Sequence, residues 1–258
     1  MKTLAALAFA GSLALALAPP AQALDRAAVA SGRRDLQAAV DRGDLAGMMA
    51  VRARLVALSQ AEPDQPLLHY WVAVAAWRAL PLQKDDKLAE RMGDDAVDHL
   101  DKALQIDPKF AEALAVKGGL QGMLIRYKSG AMMTLGPQSG ANIARAISMQ
   151  PDNPRNHLFM GVGDLHKPVV FGGGPKGAIE EFRRAQELFA KESVADSIAP
   201  DWGRDDAYLW EGRAAMKMKD YPAARAAFAK ALEANPKNGW VRTQLLPEVE
   251  KALAAKEK

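Results

Sequence analysis

The chain of 258 residues contains no cysteine. We therefore expect neither disulfide bonds nor a lipid anchor on a thiol, and stability must come from packing. Beyond the first residues, no uncharged apolar run reaches the roughly 17–25 residues that a membrane-spanning helix needs. No segment shows the alternation of polar and apolar residues that is typical of strands. These absences favour an all-α fold that is held together by its own core.

The first 23 residues have the three parts of a secretory signal peptide. Lys2 gives a positive start, residues 4–18 are apolar, and residues 21–23 read Ala-Gln-Ala, a small-residue cleavage site. We expect cleavage after Ala23, which leaves a single domain of residues 24–258. The expected location is periplasmic or secreted.

The charges of the chain are nearly balanced. There are 34 Lys and Arg residues against 31 Asp and Glu residues, and the two signs alternate closely, as in "KDDKLAERMGDDAVDHLDK". Such mixing is typical of solvated helix surfaces and not of a nucleic-acid-binding patch. No nucleic-acid partner is therefore predicted.

One spacing of residue sizes recurs four times along the chain. A small residue is followed four positions later by a larger one, and three positions after that by a second small one. Residues at these spacings share one helix face, where small side chains admit a neighbouring helix and the larger one fills the gap. The clearest instance is Ala224, Phe228 and Ala231 before Pro236, and the others begin at Ala96, Ser139 and Ala178.

Each of these helices is preceded by a segment with a large residue four positions before a smaller one. The pairs are Tyr70 and Val74, Leu114 and Gly118, His157 and Gly161, and Tyr208 and Gly212. Together the two segments predict a helical hairpin. This signature resembles the tetratricopeptide repeat family, whose period is 34 residues.

The resemblance implies a TPR-like α-solenoid of four to five helical hairpins. The repeats are assigned to residues 67–108, 110–151, 154–190 and 205–236, and the last of these needs no insertion. The extra residues of the others are placed in turns at about 81–92, 128–135, 167–174 and 191–203. We also expect an earlier hairpin at about residues 25–60 and a closing helix at 240–256 that is interrupted at Pro247.

The segment "PVVFGGGPKGAIEEFRRA" contains the spacing G-x-G-x-x-G at Gly172, Gly174 and Gly177. A dinucleotide-binding fingerprint requires a βαβ unit with an acid after the second strand. Here Glu192 continues a helical sequence, so we predict a glycine-rich turn in which Phe171 packs. An anion-binding nest at the three successive glycines 172–174 stays open as an alternative.

The other candidate chemistries have little support. The four histidines are scattered, H-E-x-x-H is absent, and Ser139 does not lie in G-x-S-x-G. Paired carboxylates fall at predicted turns or helix starts, where Asp caps the helix and interacts favourably with its dipole. Neither catalytic residues nor a metal site nor a cofactor is predicted.

The inner face of the repeat helices is largely apolar, with Trp71 and Met216 on it and Arg78 and Arg213 as basic exceptions. Tetratricopeptide domains that bind acidic peptide C-termini carry Lys, Asn and Arg on this face. A binding site of that kind is therefore not predicted for this chain. Either this face is core that the insertions close, or it binds an apolar peptide or ligand. The candidate contact residues are Trp71, Arg78, Met123, Arg126, Tyr127, Leu158, Phe171, Trp210 and Arg213.

These observations predict a non-enzymatic periplasmic interaction or scaffold module. It would bury apolar side chains of a protein or peptide partner, with Arg78, Arg126 and Arg213 orienting polar groups. The alternative is a carrier of a small apolar ligand. In architecture and export, that alternative resembles the helical-repeat component associated with some tripartite periplasmic transporters, whose members usually carry a lipid anchor.

Overall fold

The computed structural model describes residues 24–256, and the predicted signal peptide lies outside this part. Eleven α-helices and no strand occur in it: α1 (Arg26–Arg42), α2 (Leu45–Ala61), α3 (Pro66–Ala79), α4 (Asp86–Ile106), α5 (Ala111–Leu124), α6 (Met132–Met149), α7 (Pro154–His166), α8 (Pro175–Lys191), α9 (Arg204–Lys217), α10 (Tyr221–Ala234) and α11 (Leu246–Lys256). The predicted all-α fold is confirmed. No helix between residues 24 and 256 is both long and apolar enough to cross a lipid bilayer.

The first ten helices pair in sequence order into five hairpins, and α11 follows the last hairpin. Contacts of α1 with α3, α3 with α5, α5 with α7, and α7 with α9 bring the odd-numbered helices together as the inner face of the stack. Because each hairpin reverses the chain, the turns within hairpins share one edge of the stack. We call it the turn edge, and the connections between hairpins lie along the opposite edge.

The recurring spacing of small and large residues is explained by contacts inside each hairpin. A Cβ atom added to Gly212 would lie 2.4 Å from the Phe228 ring, and one added to Gly161 would lie 2.5 Å from the Phe182 ring. The large residue of the second helix therefore packs directly on the glycine of the first. This close approach is why the sequence pairs a glycine with an aromatic residue.

Two predicted insertions are partly helical. Helix α4 begins at Asp86, after the Asp85 side chain accepts a hydrogen bond from the Leu88 amide, and α6 begins at Met132. The expected turns at 81–92 and 128–135 were therefore too long, because the extra residues add helical turns. The interruption expected at Pro247 lies just before it, as a π-helical stretch at Val241–Leu245.

The glycine-rich segment is a turn between α7 and α8, as predicted. Gly172 and Gly174 have φ angles of 80° and 131°, which favour glycine. The amides of residues 172, 173 and 174 donate to the backbone carbonyls of residues 169, 168 and 164. The alternative of an anion-binding nest was wrong, because none of these amides is free. Phe171 does not pack either, since 68% of it is exposed.

We predict opposite effects of two glycine-to-alanine substitutions on stability. Gly212→Ala forces a methyl group into the Phe228 ring and should lower the free energy of unfolding by about 1–3 kcal/mol. Gly140→Ala, in α6 with no atom within 4 Å of the new Cβ, should raise it by about 0.5–1 kcal/mol. Urea unfolding followed by circular dichroism measures both. Equal effects would contradict the packing described above.

Candidate functional site

The connection between α8 and α9, residues 192–203, crosses the inner face and fills it. Ile198 and Trp202 are 1% and 6% exposed. The Trp71 indole donates a hydrogen bond to the Ile198 carbonyl at 2.8 Å, and the Trp202 indole donates one to the Tyr70 hydroxyl at 2.9 Å. This connection, which we call the inner segment, makes the apolar inner face a core.

A buried arginine on α7 holds the inner segment in place. The Arg155 guanidinium donates to the Glu192 carboxylate at 2.5 and 3.2 Å and to the Pro200 carbonyl at 2.8 Å. Its Nε lies 3.6 Å from Glu112, which also accepts a hydrogen bond from the Tyr70 hydroxyl. Burial disfavours the charge, yet the two carboxylates outweigh burial and raise the Arg155 pKa. Glu192 therefore has a structural partner, and no ribose-binding role remains for it.

Helix α1 covers the inner segment from the other side. Arg33 donates to the Ser197 and Ala199 carbonyls at 2.8 and 2.5 Å and to the Asp201 carboxylate at 2.5 Å. The prediction of an open, partner-binding apolar inner face is therefore corrected. Trp71 and Leu158 lie in the core and cannot reach a partner in this structure.

Arg78 is enclosed as well. Its guanidinium lies 4.5 Å from the Trp77 ring and 4.9 Å from the Trp202 ring. Both of its terminal nitrogens donate to the Asp206 carboxylate, one of them at 2.8 Å. Burial lowers the Arg78 pKa, but the Asp206 charge outweighs this effect, and the pKa is raised. Arg78 thus forms a complete internal ion pair between two indole rings, and it is structural.

Arg213 repeats this arrangement without the carboxylate. Its guanidinium lies 4.5 Å from the Trp210 ring and 5.1 Å from the Trp240 ring. Within residues 24–256 it forms neither a hydrogen bond nor an ion pair. Burial lowers its pKa, and the charge of Glu248 offsets part of that effect. A charged guanidinium between two aromatic faces is oriented to accept a carboxylate.

A pocket of about 350 Å³ opens beside this arginine, between α9 and residues 240–248. We call Trp210, Arg213, Trp240 and this pocket the arginine–tryptophan site. The His166 ring meets the Trp210 ring edge-on at 5.9 Å, which restrains that indole. The pocket is lined by Arg213, Met216, Trp240, Gln244, Leu245 and Glu248. Apolar and charged groups are thus combined at one opening.

A second pocket of about 350 Å³ lies where α1 meets the last repeat. Two arginines that line this pocket already form ion pairs within the protein, Arg33 with Asp201 and Arg78 with Asp206. The Asn235 side chain also donates to Asp41 across this contact at 2.8 Å. We interpret this pocket as part of the contact between the first and the last hairpin of the stack.

The nine predicted contact residues do not form one site. Met123, Arg126, Tyr127 and Phe171 lie at or near the turn edge, where the Tyr127 hydroxyl donates to the Leu80 carbonyl at 3.2 Å. Trp71, Arg78 and Leu158 belong to the core, and only Trp210 and Arg213 lie together at an opening.

Trp240 is not among the contact residues predicted from the sequence. This indole follows the last repeat motif and was counted only as part of a closing helix. The signal that could have drawn attention to it is its position, four residues after the repeat-ending Pro236. Its distance from Arg213 depends on how α11 packs, which no spacing in the sequence gives.

The histidines are also accounted for individually. His69 and His99 contact each other inside the stack, with 2.8 Å between their Nδ1 atoms, and His157 hydrogen-bonds to Glu181 at 2.7 Å. Among the residues that the structure describes, no group of three or more His, Asp or Glu side chains is arranged to hold a metal ion.

Comparisons with known proteins agree with the repeat assignment. The family model for the tetratricopeptide repeat matches residues 205–238. The HusA haemophore from Porphyromonas gingivalis superimposes with a TM-score of 0.60 at 20% identity, over 78% of this chain and 96% of that one. A thermophilic TPR protein from Thermus thermophilus does so with a TM-score of 0.59 at 17% identity, over 86% and 99%. The predicted resemblance to tetratricopeptide repeat proteins is confirmed, and no curated protein sequence matches the chain.

We predict that the two tryptophan-flanked arginines differ in their contribution to stability. Arg78→Met leaves the Asp206 carboxylate buried and unpaired, and should lower the free energy of unfolding by about 3–5 kcal/mol. Arg213→Met breaks no ion pair and should cost about 1 kcal/mol or less. Denaturant titration compares the two variants. A larger loss for Arg213→Met would show that this residue is structural.

Proposed function

We propose that this tetratricopeptide-repeat protein is a non-enzymatic interaction module that binds an acidic segment of a partner protein at the arginine–tryptophan site. One observation carries the proposal. Arg213 is flanked by two indole rings as Arg78 is, but it lacks the carboxylate that completes the Arg78 arrangement. A carboxylate from a partner would complete it in the same way.

The walls of the pocket define the partner segment further. Met216 and Leu245 offer apolar surface beside the guanidinium, so an apolar side chain next to the acidic one is favoured. Glu248 also lines the pocket, and its charge repels a second acid. The proposed segment therefore carries one carboxylate beside one or two apolar residues, and not a run of acids.

The proposed place of action is the periplasm. This part of the proposal rests on the signal-peptide pattern of residues 1–23, which includes the cleavage motif at residues 21–23. An acidic partner segment would have to be exposed in the same compartment.

The alternative function, carriage of a small apolar ligand, has less support. The inner face, where such a ligand would lie, is occupied by Trp202 and Ile198. The haemophore among the similar structures shares 20% identity with this chain, which supports likeness of fold and not of ligand. Haem is therefore a useful comparison ligand in the test that follows.

The test is a binding titration with peptides. An array of short peptides, each with a single Asp or Glu between apolar residues, is screened with the wild-type protein, and the best binder is labelled for fluorescence anisotropy. Arg213→Met should weaken that peptide roughly tenfold or more, because it loses a charge-assisted hydrogen bond. Glu248→Gln should tighten binding, because it removes a repelling charge.

Arg242→Met is the matched control, since Arg242 is exposed on the same C-terminal part and lies outside the pocket. It should change the affinity less than twofold. Peptides with Asn or Gln in place of the acid should also bind roughly tenfold or more weakly. If no acidic peptide binds, or if Arg213→Met and Arg242→Met weaken binding equally, the proposed site is wrong. Saturable binding of hemin to the wild type but not to Arg213→Met would favour the carrier function instead.

A further inference from the structure

The exposed apolar side chains of the protein are concentrated on the turn edge. Among the described residues, eleven large apolar side chains are at least 36% exposed, and eight of these lie in or beside turns within hairpins: Leu82, Leu88, Met132, Met133, Val169, Val170, Phe171 and Met218. The five that are more than half exposed all belong to two neighbouring turns, α5–α6 and α7–α8. Neighbouring hairpins lie about 10 Å apart, so both turns can reach one surface at the same time.

The tip of the α7–α8 turn is held in an exposed conformation. Val170 and Phe171 are 85% and 68% exposed on a single 3-10 turn. The Phe171 amide donates to the Pro168 carbonyl at 2.9 Å, and the Gly174 amide donates to the Asp164 carbonyl at 2.7 Å, which closes the base of the turn. An apolar tip that is already ordered loses little conformational entropy when it docks.

The sequence around the two apolar turns contains few acidic residues. No Asp or Glu occurs between Glu112 and Asp152, and none occurs between Asp164 and Glu180. Arg126 and Lys176 lie in these stretches, and neither forms an ion pair within residues 24–256. Lys128 pairs with Asp94 and Lys167 with Asp164. Within the described residues, Arg126 and Lys176 are thus the unpaired cations beside the protruding apolar tips.

We propose that the turn edge, through the tips of the α5–α6 and α7–α8 turns, docks on an anionic lipid membrane. Apolar side chains at the tips enter the boundary of the acyl chains while Arg126 and Lys176 contact acidic headgroups. Two features favour a membrane over a protein partner. The tips protrude, with most of Val170 and Phe171 exposed, and lysine is depleted at the centres of protein interfaces. The arginine–tryptophan site is separate, so the membrane-docked protein could still bind a peptide there.

Vesicle flotation tests this proposal. The chain from Leu24 onward is used, because it contains all of the described structure and lacks the apolar residues 4–18, which would bind lipid themselves. It is mixed with vesicles of phosphatidylcholine alone or of phosphatidylcholine and phosphatidylglycerol in equal parts. We expect flotation with the second composition, and a reduction of bound protein when the salt concentration is raised.

Two double variants separate the apolar and the charge contributions. Val170→Ser with Phe171→Ser should weaken binding to the anionic vesicles roughly tenfold or more. Arg126→Gln with Lys176→Gln should remove the preference for anionic lipid. The matched controls are Ile106→Ser, an exposed apolar residue on the opposite edge, and Arg242→Gln, and both should bind as the wild type does. All of these side chains are exposed, and unchanged circular dichroism confirms that the variants fold.

Several results of these flotation experiments would contradict membrane docking. It is overturned if the wild type does not float with anionic vesicles, if Ile106→Ser weakens binding as much as the turn variant does, or if both lipid compositions bind equally. If the turn variant instead loses a protein that the wild type captures from extract, while no form binds vesicles, the turn edge is a protein-binding surface and the membrane proposal is wrong.

Discussion

The structure depends on the burial of one positive charge. Arg155 is almost fully buried, and a buried guanidinium is tolerated only when carboxylates and carbonyls surround it. Its partners Glu192 and Pro200 lie near the two ends of the inner segment, so pairing the charge also fixes the path of that segment across the stack. Trp202 is thereby placed against Tyr70, and the groove of the solenoid becomes its core.

This arrangement determines which surfaces can act. An open tetratricopeptide stack presents its inner face to partners, but here the chain supplies the occupant of most of that face. What stays accessible is the pocket between α9 and residues 240–248, where Arg213 lies between two indoles, and the turn edge with its exposed apolar tips. The comparison of Arg78 with Arg213 is informative because both are flanked by tryptophans, and within residues 24–256 only Arg78 is hydrogen-bonded to a carboxylate.

The local fold was predictable from the sequence, whereas the site was only partly so. The spacing of Gly212 and Phe228 predicts a contact within one hairpin, and such contacts follow from helix geometry alone. The ion pair of Arg78 with Asp206 joins residues 128 positions apart, and no periodic pattern encodes it. Trp210 and Arg213 were recognised because they lie on a repeat helix, whereas Trp240 lies beyond the last repeat.

The five tryptophans allow the central claim to be measured directly. In a spectrum of the ¹⁵N-labelled protein, the indole N–H groups of Trp71 and Trp202 should exchange slowly with solvent, because both donate buried hydrogen bonds. Addition of an acidic peptide should shift the indole signals of Trp210 and Trp240 and leave those of Trp71, Trp77 and Trp202 unchanged. Shifts of Trp71 and Trp202 on binding would contradict the account, because they would mean that the ligand displaces the inner segment from the inner face.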